Sequence, residues 1–120
     1  VAAYEKRFNK PATQIGEFSY IGGMVIDAAL QAVKGNIEDT EGFTKALEKV
    51  QLEAPSSSIK FDQYHNVIGD VFFAEVKKAD GKLVNAVFER TPQVSQFWKW
   101  SPEEFLKMPT YNDLKGKWVK

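Results

Sequence analysis

The sequence predicts an α/β fold in which three helices are followed by a β-hairpin, or ribbon, and a short C-terminal helix. Apolar residues in the first half recur at the i, i+3, i+4 and i+7 spacing of amphipathic helices. β-Branched and aromatic residues then fill two runs on either side of Asp80 and Gly81, a pair typical of tight hairpin turns. Ser101 and Pro102, after the second run, favour the start of a helix.

Composition limits the possible functions. The 120 residues suffice for one domain and leave no room for a second core. Sixteen basic and sixteen acidic side chains balance, and no run of Lys or Arg exceeds two residues, so we expect no nucleic-acid partner. Cysteine is absent, which excludes disulfides and thiolate metal sites and fits an oxidising compartment. No apolar run approaches the roughly 20 residues that cross a bilayer.

The first helix is predicted from Val1, Tyr4 and Phe8, which share one stripe, with charged residues on the other side. It should end near Asn9. The chain starts inside this pattern, without an initiator Met or a signal segment, so we expect it to be a piece of a longer protein.

A second helix is predicted from about Phe18 to Val33, with Gly35 placed to end it. Apolar residues lie nearly all round this helix, which is typical of helices buried between other layers. Gly22 and Gly23 would each cost roughly 1 kcal/mol in an exposed helix interior. We therefore expect close packing of a neighbour against these two glycines.

A third helix is predicted after Asp39 or Thr40, either of which can serve as its N-cap. One of its faces is apolar at helical spacing, and its outer face is charged. The apolar positions are Phe43, Ala46, Leu47 and Val50.

After Pro55 the sequence changes from helix-forming to strand-forming patterns. Residues 59–61 are predicted to be extended, and residues 62–66 to form a turn. Asp80 and Gly81 tolerate the positive φ of a type I′ turn, so they should join a strand over 71–78 to a strand over 83–90.

A two-residue loop at Asp80 and Gly81 would place Phe73 opposite Phe88. Both faces of the resulting ribbon carry apolar residues, and a two-stranded ribbon is not stable alone. We therefore expect both faces to be covered.

The tail of the chain is rich in aromatic residues. Ser101, Pro102 and Glu104 predict an N-cap, a first-turn proline and a capping box for a short helix that ends near Lys107. Packing against the body of a larger protein explains the aromatic residues better than a stacking platform, because no basic groove accompanies them. These residues are Phe97, Trp98, Trp100, Phe105, Tyr111 and Trp118.

No catalytic constellation is found in the sequence. His65 is the only histidine, so a His-based triad or a two-His metal site cannot be assembled, and we interpret it as a surface turn residue. The carboxylates have structural explanations: Asp62 and Asp70 flank a turn, and Glu104 caps a helix. We expect no enzyme activity, no metal and no cofactor.

Residues 17–20, at the start of the second helix, gather polar and aromatic groups at the end of an element, and such positions often line clefts. Capping and packing explain the same residues without a ligand.

The chain resembles the last segment of type I periplasmic solute-binding proteins of ABC importers, and most closely the branched-chain amino-acid receptor group. The resemblance covers essentially all 120 residues. The chain differs from the family in the turn over residues 62–66, where it has His65 and Asn66 and the family commonly has Gly-Asn. The strings that carry it are Val1–Pro11, the helix around Tyr20–Leu30, Ala46–Glu48, Ile59–Asp62 with Asn66, and Val94–Phe105.

This resemblance implies an incomplete part of a two-lobed type I fold. Residues 1–61 would be the helical part of one lobe, and residues 62–120 the lobe-crossing ribbon and aromatic tail, within one segment. The family's function implies the substrate-binding component of an ABC transporter that imports branched-chain or aromatic amino acids or related small carboxylates. Glu17, Phe18 and Tyr20 are the ligand-binding residues that the resemblance carries over.

The partners implied by the resemblance are a small solute, an ABC permease at the membrane, and the remainder of the parent chain or swapped copies. Its implied location is periplasmic, or extracellular with a lipid anchor. Taken at face value, the same sequence also fits a small α+β interaction module that self-associates through its aromatic tail and ribbon.

Overall fold

A computed structural model describes residues 2–117, so Val1 and Trp118, predicted in the first helix and the aromatic tail, lie outside the described residues. Within that range the helices precede the sheet, and two short helices follow it. No helix of this part of the chain is long and apolar enough to cross a membrane. The elements are α1 (Ala2–Phe8), α2 (Gln14–Ala32), α3 (Thr40–Glu48), β1 (Gln51–Glu53), β2 (Ser58–Phe61), β3 (Val67–Ala79), β4 (Lys82–Val94), α4 (Pro102–Leu106) and α5 (Tyr111–Leu114).

The start of α2 lies at Gln14, four residues before the predicted start at Phe18. The prediction was wrong because it followed the apolar pattern, whereas the helix begins at its cap. The Thr13 hydroxyl accepts a hydrogen bond from the Gly16 N–H at 3.1 Å. This bond satisfies a first-turn donor that lacks a partner within the helix.

The end of α2 is closed by two left-handed residues, Lys34 (φ 53°) and Gly35 (φ 77°). The Gly35 N–H donates to the Leu30 carbonyl at 2.9 Å, and the Lys34 N–H donates to the Gln31 carbonyl at 3.1 Å. These two bonds form a Schellman motif. Gly35 therefore closes the helix as predicted, but Lys34 holds the position that usually favours glycine.

The core lies where α2 and α3 meet the first strands. Asp39 caps α3 through a hydrogen bond from the Gly42 N–H at 2.9 Å, which confirms one of the two predicted caps. The apolar face predicted for α3 packs against this core, with Val50 buried just after the helix. The buried residues of the cluster are Val25, Ala29, Val50 and Ile59.

The helix α2 is not buried all round, so that prediction was wrong for the described residues. Val25 and Ala29 are its buried residues, and Ile26, next to Val25 in sequence, is 53% exposed. Apart from the nearby backbone of α2 itself, no atom of the described chain lies within 4 Å of where a Cβ would stand on Gly22 or Gly23. One side of α2 packs on the core, while Gly22 and Gly23 are exposed.

The four strands form one antiparallel meander in the order β1-β2-β3-β4. The sequence did not predict β1, because a three-residue strand is too short to show alternation. It pairs with β2 from Gln51 opposite Lys60 to Glu53 opposite Ser58.

The predicted turn over residues 62–66 is confirmed. The Asp62 N–H donates to the Asn66 carbonyl at 2.8 Å, and the Asp62 carboxylate accepts from the N–H groups of Tyr64 and Asn66. His65 adopts a left-handed φ of 64° in this turn.

The hairpin at Asp80 and Gly81 is confirmed, with φ values of 50° and 77°, and its strands are longer than predicted. The predicted pairing of Phe73 with Phe88 is wrong. Phe73 lies opposite Glu89, and the next pair joins Ala74 to Val87. Phe88 is the extra residue of a β-bulge on β4, which the loop length alone does not reveal.

The tail forms the predicted capped helix and one further short helix, α5, that was not predicted. Ser101 and Glu104 make the reciprocal bonds of a capping box, with Pro102 in the first turn. Phe97 is the buried residue of the tail, at 5% exposed.

Candidate functional site

The first two turns of α2 hold the three predicted binding residues. Their backbone is fixed by the Thr13 cap, and the Ser19 hydroxyl donates to the Ile15 carbonyl at 3.1 Å. A first helical turn carries a partial positive charge, which favours the acidic Glu17 at this position.

The three predicted residues leave α2 in two directions. Glu17 and Tyr20 lie three residues apart, so their side chains start from neighbouring positions of the helix surface. Phe18 leaves the helix about 100° from Glu17 and about 160° from Tyr20. Phe18 and Tyr20 are largely exposed, at 61% and 63%. The structure thus places Glu17 and Tyr20 on one side of α2 and Phe18 on another.

Glu17 is the member of this group with an unmet chemical requirement. Its Oε1 atom is buried and has no hydrogen-bond partner among the described residues. Ile21, one turn later on the same face, packs against the core, so Glu17 lies at the edge of that core. A buried acceptor without a donor costs about 1–3 kcal/mol. An N–H or O–H group brought to Oε1 would remove this cost.

A groove of about 410 Å³ lies at the other end of α2, between its C-terminal half and α3. Ala28, Ala46 and Lys49 are part of its lining. None of the three predicted residues lines this groove, so it is separate from the site at the α2 N-terminus.

Asp70 is not at the turn to which the sequence assigned it; it lies inside β3, with its side chain 1% exposed. The hydrogen bond from the Gln93 N–H, at 3.0 Å, is the main effect that lowers the pKa of Asp70. Burial raises this pKa, but the paired Arg90 lowers it further, so the pKa of Asp70 lies below its usual value. The Gln93 side-chain amide also donates to the Ser58 carbonyl at 2.9 Å. Asp70 therefore joins β3 to β4 and, through Gln93, to β2.

Burial raises the pKa of Asp62, but hydrogen bonds from the Gln96 side chain and from the N–H groups of Asn66 and Tyr64 lower it below its usual value. His65 is exposed, as predicted, and its Nε2 lies 3.0 Å from Glu48 Oε1. These groups serve the turn and its neighbours. Within residues 2–117, no three His, Cys, Asp or Glu side chains gather in a way that could hold a metal ion.

Sequence reasoning missed the pairing of Asp70 with Arg90 and the contact of His65 with Glu48. A carboxylate and a guanidinium on two paired strands predict an ion pair once the register of the strands is known. The register shifts twice along this ribbon, so the loop length could not supply it.

Solved structures with similar folds are solute-binding proteins. An ABC transporter substrate-binding protein from Sphaerobacter thermophilus is 30% identical, with a TM-score of 0.63 over 66% of this chain and 22% of that one. A solute binding protein of an ABC transporter from Rhodopseudomonas palustris BisB5, in complex with 3,4-dihydroxybenzoic acid, is 25% identical, with a TM-score of 0.74 over 87% of this chain and 27% of that one.

A third structure, an R. palustris ABC transporter solute binding protein in complex with 4-hydroxybenzoate, is 25% identical, with a TM-score of 0.61 over 68% of this chain and 22% of that one. The chain therefore spans about a quarter of the length of these proteins.

No curated protein matches the chain significantly. The sequence profile of the periplasmic binding protein family matches residues 1–82. Because this match covers more than half of the 120 residues, and the fold of the chain is similar to part of solved solute-binding proteins, the chain belongs to the periplasmic binding protein family.

Proposed function

We propose that this chain is part of the solute-binding component of an ABC importer that takes up aromatic carboxylates. The observation that carries the proposal is the similarity over 87% of the chain to a protein solved with 3,4-dihydroxybenzoic acid. Two similar solute-binding proteins were solved with 3,4-dihydroxybenzoic acid and with 4-hydroxybenzoate, which favours aromatic acids over the amino acids that the sequence also allowed.

Glu17 is proposed to select among these acids. A carboxylate with an unpaired buried oxygen suits a ligand that donates a hydrogen bond, such as a phenolic hydroxyl, and it repels a ligand carboxylate placed beside it. The ring hydroxyl of a hydroxybenzoate would therefore point to Glu17. Tyr20, on the same side of α2, is proposed to contact the ring. Phe18 starts from another side of the helix and is not proposed to contact the same ring.

Binding to the full-length protein tests both proposals. Isothermal titration with benzoate, 4-hydroxybenzoate, leucine and phenylalanine should give binding of the two aromatic acids. Binding of the amino acids alone would overturn the proposed substrate class.

Glu17→Met should weaken 4-hydroxybenzoate binding by about tenfold or more, because a hydrogen bond to a charged group is lost, while benzoate binding stays or improves. Glu38→Met, in the loop before α3, is the matched control and should change neither affinity. Equal losses for both ligands in Glu17→Met would exclude the hydroxyl contact.

The proposed partners follow from the same function. The binding protein would deliver its solute to a permease at the membrane, which requires a periplasmic or lipid-anchored extracellular location. Uptake of labelled 4-hydroxybenzoate should be lost on deletion of the gene and restored by the full-length protein. Uptake that persists unchanged in the deletion strain would contradict this role.

The division of the chain into residues 1–61 as the helical part of one lobe and 62–120 as ribbon and tail remains part of the proposal. The self-associating α+β module is the alternative. Sedimentation distinguishes the two, because a stable dimer of this chain with no solute binding in the full-length protein would favour the module.

A further inference from the structure

The ribbon formed by β3 and β4 is joined to the helical part of the chain by a short ladder. β3 pairs with β2 only at Lys60 with Ile68 and Phe61 with Val67. Beyond this point β3 pairs with β4 alone. Other contacts must therefore help to set the direction in which the ribbon leaves the helical part, which comprises α2, α3, β1 and β2. One of them is the bond from the Gln93 side-chain amide to the Ser58 carbonyl.

The turn over residues 62–66, beside this ladder, is bound on one side by α3. His65 Nε2 lies 3.0 Å from Glu48 Oε1 at the last residue of that helix. His65 adopts a left-handed φ of 64°, a conformation in which histidine is found more often than most residues with a Cβ. The contact ties the turn to the helical part.

On its other side the turn is bound by the tail. The Gln96 side-chain amide donates to Asp62 Oδ2 at 2.8 Å. Phe97 packs edge-to-face on Tyr64, with 5.3 Å between the ring centroids, and edge-to-face on Phe105 of α4, with 5.4 Å. Residues 95–106, which we call the clasp, are thus folded back onto the turn around one buried aromatic ring.

We propose that the clasp sets the angle between the ribbon and the helical part. The clasp follows directly after the end of β4. The turn over residues 62–66, which the clasp contacts, follows directly after β2. The same segment is therefore attached to both parts across the short ladder. If the chain is part of a receptor, as proposed above, this angle determines how readily the two lobes approach each other without ligand. This last step rests on the proposed function.

The test uses spin labels on the full-length protein. The 120 residues contain no cysteine, so Thr44→Cys on α3 and Asn85→Cys near the ribbon tip give one label on each part, with any cysteine elsewhere replaced by serine. Electron–electron double resonance then measures the distance distribution between them without ligand.

The double variant Tyr64→Leu with Gln96→Ala removes the edge-to-face contact and the Asp62 bond but keeps an apolar side chain at position 64. We expect a single narrow distance peak for the labelled protein without these changes, and loss of that peak in the double variant. Lys107→Ala, which breaks the exposed Lys107–Glu103 pair on α4, is the control and should keep the peak.

An unchanged peak in the double variant, or the same broadening in Lys107→Ala, would overturn the clasp. Circular dichroism checks that the variants remain folded; if the double variant unfolds, Gln96→Ala alone is expected to give a partial broadening, and its absence counts against the proposal. The distances are measured without ligand. A failure to bind aromatic acids would therefore contradict the proposed function without affecting the test of the clasp.

Discussion

At the residue scale, most left-handed residues lie where the chain turns between elements, and one, Gln93, lies inside a strand. Lys34 ends α2, His65 lies in the turn before β3, Asp80 forms the hairpin tip, and Gln93 lies near the end of β4. A residue with a Cβ pays roughly 1–2 kcal/mol for this conformation. His65 and Gln93 make side-chain contacts that offset the cost.

Lys34→Gly should raise the free energy of unfolding by about 0.5–1 kcal/mol, because glycine adopts the left-handed cap position without a steric penalty. Urea unfolding followed by circular dichroism measures the change. Lys49→Gly is the matched control: Lys49 caps α3 with a right-handed φ of −91°, so glycine should destabilise there. Destabilisation at both positions would contradict the cap assignment.

Asp70→Asn should flatten the acid side of the stability profile. The pKa of Asp70 is lowered in the folded state, so its stabilisation is present above the unfolded pKa near 3.8 and is lost as the pH falls through the folded value. The difference between the unfolding midpoints of wild type and variant should therefore be largest near neutral pH and shrink below about pH 4.

Asp80→Asn is the matched control for Asp70→Asn, since asparagine is equally suited to the exposed hairpin tip. Its profile should run parallel to that of the wild type. A parallel profile for Asp70→Asn as well would mean that the network around Asp70 does not hold β3 to β4.

At the element scale, local chemistry determined what could be predicted. The Asp39 cap, the Ser101 capping box and the hairpin at Asp80 and Gly81 follow from residues a few positions apart, and all three are present. The start of α2 was misplaced because the helix begins after the Thr13 cap, whereas the prediction began at Phe18, five residues later, where the dense apolar pattern starts. β1 and the bulge at Phe88 depend on pairing with distant segments, which local patterns do not encode.

Thr13→Ala should lower the free energy of unfolding by about 1 kcal/mol, because the Gly16 N–H loses its acceptor. Thr44→Ala inside α3 serves as the control and should be neutral or slightly stabilising, since alanine is the better helix former. The helical signal at 222 nm during urea unfolding reports both. Equal effects of the two changes would show that α2 does not begin at Thr13.

At the scale of the whole molecule, the chain is too open to be complete as a packed unit. Its radius of gyration is 18.8 Å, against about 14 Å for a compact domain of this length. Its accessible surface is 10031 Å², against about 6,600 Å² for a compact monomer of this mass. The excess greatly exceeds the roughly 800 Å² that one partner buries in a standard interface. The proposed lobes of the parent protein would account for this area.

Gly22→Ala should have opposite effects in two settings. In this chain by itself it should stabilise by about 0.5–1 kcal/mol, because nothing apart from the nearby backbone of α2 lies within 4 Å of the added methyl group and alanine favours the helix. In the full-length protein it should destabilise, because we expect another segment to pack beside Gly22. Calorimetry of both proteins measures the two effects, and stabilisation in both would mean that the surface beside Gly22 stays in water.

The bulge at Phe88 has a consequence for how this ribbon tolerates insertions and deletions. Toward the tip, Val87 shares a face with Ala74, and toward the base Glu89 shares a face with Phe73. The two stretches of β4 thus follow opposite phases of alternation, separated by one unpaired residue. Inserting or deleting one residue inside either stretch would move the following side chains to the other face of the ribbon. At position 88 the alternation of side chains is already interrupted by the bulge. Length variation among related chains is expected to concentrate at this position.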